Sequence, residues 1–128
     1  MSYYFSKKLD ISFEKAIERT TDVLKENGFG VLTEIDIQAT LKKKLDVDFP
    51  KYRILGACNA PFAHKALQSE SNIGLMLPCN VIVKELPDKS IEVSAIDPIA
   101  SMQAIENPSL GDVAIAVQAL LKKVIDSL

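Results

Sequence analysis

The stretch Tyr52-Arg53-Ile54-Leu55-Gly56-Ala57-Cys58-Asn59-Ala60-Pro61 passes from one backbone regime to another. Its first part, through Cys58, reads as a mostly buried strand. Asn59 is suited to cap a helix, because its side-chain oxygen can accept an unpaired amide hydrogen of the first turn. Pro61 fits that first turn, where its missing N–H is not needed. The inward stripe of the helix is Phe62, Ala63, Ala66 and Leu67, which leaves His64, Lys65 and Gln68 nearer its other side. A strand that runs straight into a helix puts Cys58 and Asn59 at an element end, where side chains can face a cleft while the framework stays packed.

Towards the amino terminus, Tyr3 to Leu9 reads as an opening strand. Ser12 then offers a cap, Phe13, Ala16, Ile17, Thr20 and Leu24 recur at helical spacing, and Asn27-Gly28 supplies a stop. The β-branched run Gly30 to Ile35 follows as a strand. Asp36 caps a second helix with Ile37, Leu41 and Leu45 on one face. Lys42, Lys43 and Lys44 read as its solvated side near the carboxyl end, where positive charge is favoured.

Towards the carboxyl terminus, Ile73 to Leu77 and Asn80 to Leu86 read as two strands divided by Pro78. A turn at Pro87-Asp88-Lys89 joins the second to a strand from Ser90 to Ile96. Asp97-Pro98 starts a short helix bearing Ile99 and Met102, and Asn107-Pro108 repeats the signal. Leu110, Val113, Ala114, Val117, Leu120, Leu121, Val124 and Ile125 then form the broad apolar stripe of a final helix. A sheet is the natural surface for that stripe, and its width would also suit a homodimer. The expected fold is α+β, one compact domain over residues 1–128. Its mainly antiparallel sheet is backed by helices, in a β-α-β-β-β-β-α-like core with short inserted helices.

The 128 residues and 14.1 kDa suit one hydrophobic core. Fifteen basic against seventeen acidic residues leave a net charge of -2, without the broad positive field that a phosphate backbone selects, so nucleic acid is not an expected partner. Charge soon interrupts the start Met1-Ser2-Tyr3-Tyr4-Phe5-Ser6-Lys7-Lys8, which shows neither a leader nor a spanning helix. We therefore expect a cytoplasmic protein with no membrane partner, whose two cysteines are thiols rather than a structural bridge.

Several ordered segments carry a family resemblance: Gly28-Phe29-Gly30-Val31-Leu32-Thr33-Glu34-Ile35-Asp36, Ile54-Leu55-Gly56-Ala57-Cys58-Asn59, Ala63-His64-Lys65-Ala66-Leu67 and Ile73-Gly74-Leu75-Met76-Leu77-Pro78-Cys79-Asn80-Val81, with Asp97-Pro98 later. Together they resemble the domain of unknown function 302 family over nearly the whole chain. The resemblance implies a compact domain with an antiparallel sheet backed by helices, and a homodimer. It implies no established activity. Family members often place proline directly after the first Cys-Asn, whereas Ala60 precedes Pro61 in this chain.

Two Cys-Asn pairs, Cys58-Asn59 and Cys79-Asn80, and the single histidine, His64, are the residues best able to do chemistry. Cys58 at a helix start is placed to favour a thiolate, while Cys79 reads more as core packing. The two asparagines could hold a polar ligand, although Asn59 equally serves as a cap. Glu34 and Glu70 are the carboxylates nearest these motifs and could orient His64. Cys58, His64 and Cys79 have donor atoms for zinc or another transition metal, but their spacing is not diagnostic, and no haem attachment motif is present. No phosphate-cradling loop, dinucleotide fingerprint or serine elbow occurs. The expected function is binding of a small ligand in a pocket that gathers Cys58, Asn59, His64, Cys79, Asn80 and Glu34. The alternatives are a thiol-dependent enzyme or redox sensor using Cys58 and His64, and a structural module that forms a homodimer. The sequence names no cofactor.

Overall fold

In a computed structural model, which describes residues 2–128, five strands form one sheet. They are β1 (Tyr4–Leu9), β2 (Gly30–Asp36), β3 (Tyr52–Cys58), β4 (Cys79–Glu85) and β5 (Ile91–Ile96), in spatial order β1-β5-β4-β3-β2. Every neighbouring pair is antiparallel. The helices are α1 (Phe13–Glu26), α2 (Ile37–Leu45), α3 (Ala60–Ser69), α4 (Pro98–Ser101) and α5 (Leu110–Asp126), with a 3₁₀ turn at Ser71–Met76. The α+β architecture expected from the sequence is the one observed.

Alternation along the strands decides which side is core. Leu55 and Ala57 of β3, Val81 and Val83 of β4, and Val93 and Ala95 of β5 are fully buried. They form a cluster with Phe13, Ala16 and Leu24 of α1 and with Val117, Leu121 and Val124 of α5. Each large side chain buried in this way contributes about 1.5–3 kcal/mol. The final helix thus spends its stripe on the sheet.

Local chemistry sets the element ends. Ser12 accepts the Lys15 N–H at 3.2 Å, Asp36 accepts that of Ala39 at 2.9 Å, and Asn59 accepts that of Phe62 at 3.3 Å. Gly28, at φ 86°, takes the left-handed conformation that ends α1, which a side chain would resist. Gly56 matters for a different reason: a Cβ there would overlap the Thr33 hydroxyl and stand 2.8 Å from Pro78 Cγ. Its bare backbone lets β2 and the cis Leu77-Pro78 corner close over β3.

Three expectations need correction. The segment Ile73 to Leu77 is not a strand, because a strand would turn Ile73 and Leu75 to the same side. Instead Ile73 is fully buried and Leu75 is 86% exposed, an arrangement the tight 3₁₀ turn allows. Leu67 leaves the inward stripe of α3 and is exposed. Asn107 does not cap α5: it closes a turn just before the helix, accepting the Ser109 N–H at 3.1 Å and hydroxyl at 2.6 Å.

Opposite α1 and α5, one row crosses the whole sheet as Ser6, Ser94, Ile82, Ile54 and Ile35. None of these residues belongs to the buried core cluster.

Candidate functional site

Ala57 of β3 pairs directly with Cys79 of β4, so the next residue, Cys58, lies beside Cys79 on the adjoining strand. Both cysteines are free thiols. From this corner the chain enters α3 through the Asn59 cap, and α5 crosses nearby. The space left between them is a narrow cavity of about 30 Å³. Ala57, Cys58 and Asn59 line it from the end of β3, Phe62, Ala63 and Ala66 from α3, and Leu77 and Cys79 from the start of β4. Val113, Ala114 and Val117 of α5 close it, with Phe29 and Met102 at its margins. Alanines where α3 and α5 face each other leave this gap, and its volume suits a ligand the size of roughly two waters.

The lining is almost wholly apolar, and that environment acts on the thiols. Burial, helped by the neighbouring Cys58, pushes the Cys79 thiol up to about 11, so it stays neutral at pH 7. A neutral buried thiol is a soft packing and contact group, not a nucleophile. Cys58 is half-buried and therefore the more accessible sulfur. Asn59 uses its carbonyl oxygen on the Phe62 amide, while its Nδ2 would stand 3.1 Å from a Cβ built on Gly28. The cap role uses one end of this amide, and the other end lies close to Gly28.

Cys58, Asn59 and Cys79 come together at this cavity, but the other sequence candidates lie elsewhere. His64 is exposed on α3 and does not line the cavity, since it lies off the Phe62–Ala66 stripe. Asn80 follows Cys79 in an extended strand, so alternation turns it to the opposite face of the sheet. There it borders a groove with Tyr3, Tyr4, Tyr52 and Ile82. Glu34 pairs with Arg53 across β2 and β3. Glu70 accepts the Asn107 amide at 3.2 Å. Among the described residues no three His, Cys, Asp or Glu side chains gather to hold a metal, so Cys58, His64 and Cys79 do not form a zinc-like set.

Sequence reasoning passed over Phe29, Phe62, Ala66, Met102, Val113 and Ala114 as pocket residues. For Phe62, Ala66, Val113 and Ala114 the signal was present but read as inward stripes, and small residues on two such stripes mark where two helices leave a gap.

These features define an α+β domain with α1 and α5 packed over one face of its antiparallel sheet and a thiol-bearing cavity between the sheet, α3 and α5. The chain belongs to the family described as Domain of unknown function DUF302, whose model matches residues 5–128. It is similar to the solved structure titled "Crystal structure of uncharacterized conserved protein DUF302 from Bacillus stearothermophilus", with a TM-score of 0.90 and 24% identity over 98% of each chain. That likeness shows the fold. No curated protein matches the chain. Among the described residues no helix is long and apolar enough to cross a membrane.

Proposed function

We propose that this protein binds a small, mainly apolar or soft ligand in the cavity between β3, β4, α3 and α5. Cys58 and Cys79 would offer sulfur, and Asn59 Nδ2 would offer a single polar contact. One observation carries the reading: both cysteines and the Asn59 cap border the same narrow apolar hollow. A binding role is favoured over thiol catalysis because His64 stands outside the hollow and burial keeps Cys79 protonated. Two free thiols also fit a reducing, cytoplasmic setting.

Xenon is a suitable probe, since small apolar cavities take it up. Under xenon pressure, NMR shifts are expected at the amides of Ala57, Ala63 and Ala114, and Ala63→Leu should abolish them by filling the space. Unperturbed amides at all three positions, or shifts unchanged in the Ala63→Leu variant, would remove the cavity as a binding site.

A further inference from the structure

We infer that the cavity proposed above as a binding site takes a soft monovalent metal ion, copper(I), held by the sulfurs of Cys58 and Cys79 with the Met102 thioether as third donor. The inference rests on that reading of the cavity and names its occupant.

Size narrows the choice first. A hollow of about 30 Å³ holds roughly two waters, too little for a metabolite, so its occupant is a single ion or a molecule of a few atoms. The donors then select the ion. Both cysteines of the chain and one of its three methionines border this one hollow, and no carboxylate or imidazole is among its lining. Magnesium and calcium require oxygen ligands, which are lacking. Zinc in a closed site requires four cysteine, histidine or carboxylate ligands, and the lining supplies two. Thiolate and thioether sulfur select copper(I), which two or three such donors satisfy.

The backbone sets the pair. Ala57 lies opposite Cys79, and Cys58 follows at once, where β3 gives way to α3. The two thiols sense each other across the hollow, since the charge of Cys58 helps push the Cys79 thiol up. A buried neutral thiol is no nucleophile, yet a soft ion displaces its proton. Two S–H bonds break, two Cu–S bonds form and two protons leave to solvent, with no change of oxidation state. The resulting centre carries a net negative charge, which the positive start of the ten-residue helix α3 favours. Met102, just past the end of α4, adds a third sulfur without adding charge. Half-buried Cys58 gives an incoming ion its first contact, and the buried Cys79 receives it further in.

Anaerobic titration of the reduced whole chain with copper(I) in competition with bicinchoninate tests this. One ion per chain should be withheld from the chelator, with thiolate-to-copper absorption in the near ultraviolet reaching its end point at one equivalent. X-ray absorption of the wild-type complex, which needs no substitution, should show sulfur alone around the copper. Cys58→Ser should lose the withheld ion, and Met102→Leu should release part of it at the same chelator concentration. His64→Ala, outside the cavity, should keep all of it. Circular dichroism checks that each variant is folded. A wild-type chain that yields all its copper to the chelator overturns the inference. So do nitrogen or oxygen neighbours in place of sulfur, or copper held as firmly by folded Cys58→Ser or Met102→Leu as by wild type. Xenon entry without copper uptake overturns this inference alone, whereas failure of xenon to enter the metal-free chain removes the cavity itself.

Discussion

Ile54 and Leu55 are neighbours in β3 with side chains of equal size, yet Leu55 is fully buried in the core cluster and Ile54 is only half-buried on the opposite face. Strand alternation sent them to opposite sides, and the helices decided the rest. α1 and α5 suffice to cover one side of a five-stranded sheet, and the uncovered side keeps its isoleucines and tyrosines in reach of solvent or of another molecule. Apolar character in a strand therefore says that a face will be covered, without saying by what.

The largest effect that would break this comparison is a stability measurement on the pair. Leu55→Ala should cost about 2–5 kcal/mol in urea unfolding, because it removes buried contacts and leaves a cavity. Ile54→Ala measured on dilute monomer should cost less than about 1 kcal/mol, since a half-exposed side chain loses less apolar burial. Equal losses would mean that the second face is as well covered within one chain as the first. If the Ile54→Ala loss grows with protein concentration, the open face is being covered by a second copy.

The next largest effect concerns Cys79 on the helix-covered side, whose thiol burial pushes up to about 11 from an ordinary 9.0. Below pH 9 the thiol is protonated in both folded and unfolded chains, so its contribution is constant. As pH rises from about 9 towards 11 the unfolded thiol ionises first, which favours unfolding. Stability should fall over that window by up to about 3 kcal/mol relative to Cys79→Ala, whose own curve lacks this component. Parallel pH curves for the two proteins would show that Cys79 is far less enclosed than its place in the core cluster indicates. Alkylation at pH 8 should likewise modify the half-buried Cys58 before Cys79.

The sequence foretold what depends on near neighbours. The caps Ser12, Asp36, Asn59 and Asp97 each accept a backbone N–H at a helix start, and β3 spans the residues read for it. The Phe13–Leu24 and Leu110–Ile125 stripes face the sheet because helical spacing alone sets their common side. What failed required knowing the third dimension. Ile73 to Leu77 has strand-like composition, and only packing around Ile73 reveals the turn. The Cys-Asn pairs look equivalent in sequence, yet Asn59 falls at a helix start and Asn80 within a strand, so one borders the cavity and the other points away. His64 lies close to Cys58 along the chain, but rotation around α3 carries it out to solvent.

The smallest effect separates two adjacent threonines of α1. Thr21 donates its hydroxyl to the Ile17 carbonyl at 2.8 Å, the usual way a helical threonine satisfies itself. Thr20 is fully buried against the core, and among the described residues its Oγ1 finds no hydrogen-bond partner. A buried hydroxyl without a partner has given up water for nothing in return. Replacing it with a methyl of similar shape removes that penalty, so Thr20→Val should raise stability by about 1 kcal/mol and Thr21→Val should lower it by a similar or smaller amount. Thermal unfolding of both variants measures the two signs directly. A loss in Thr20→Val would show that the hydroxyl is held by a buried water, and the helix-covered face would then be less dry than its apolar lining implies.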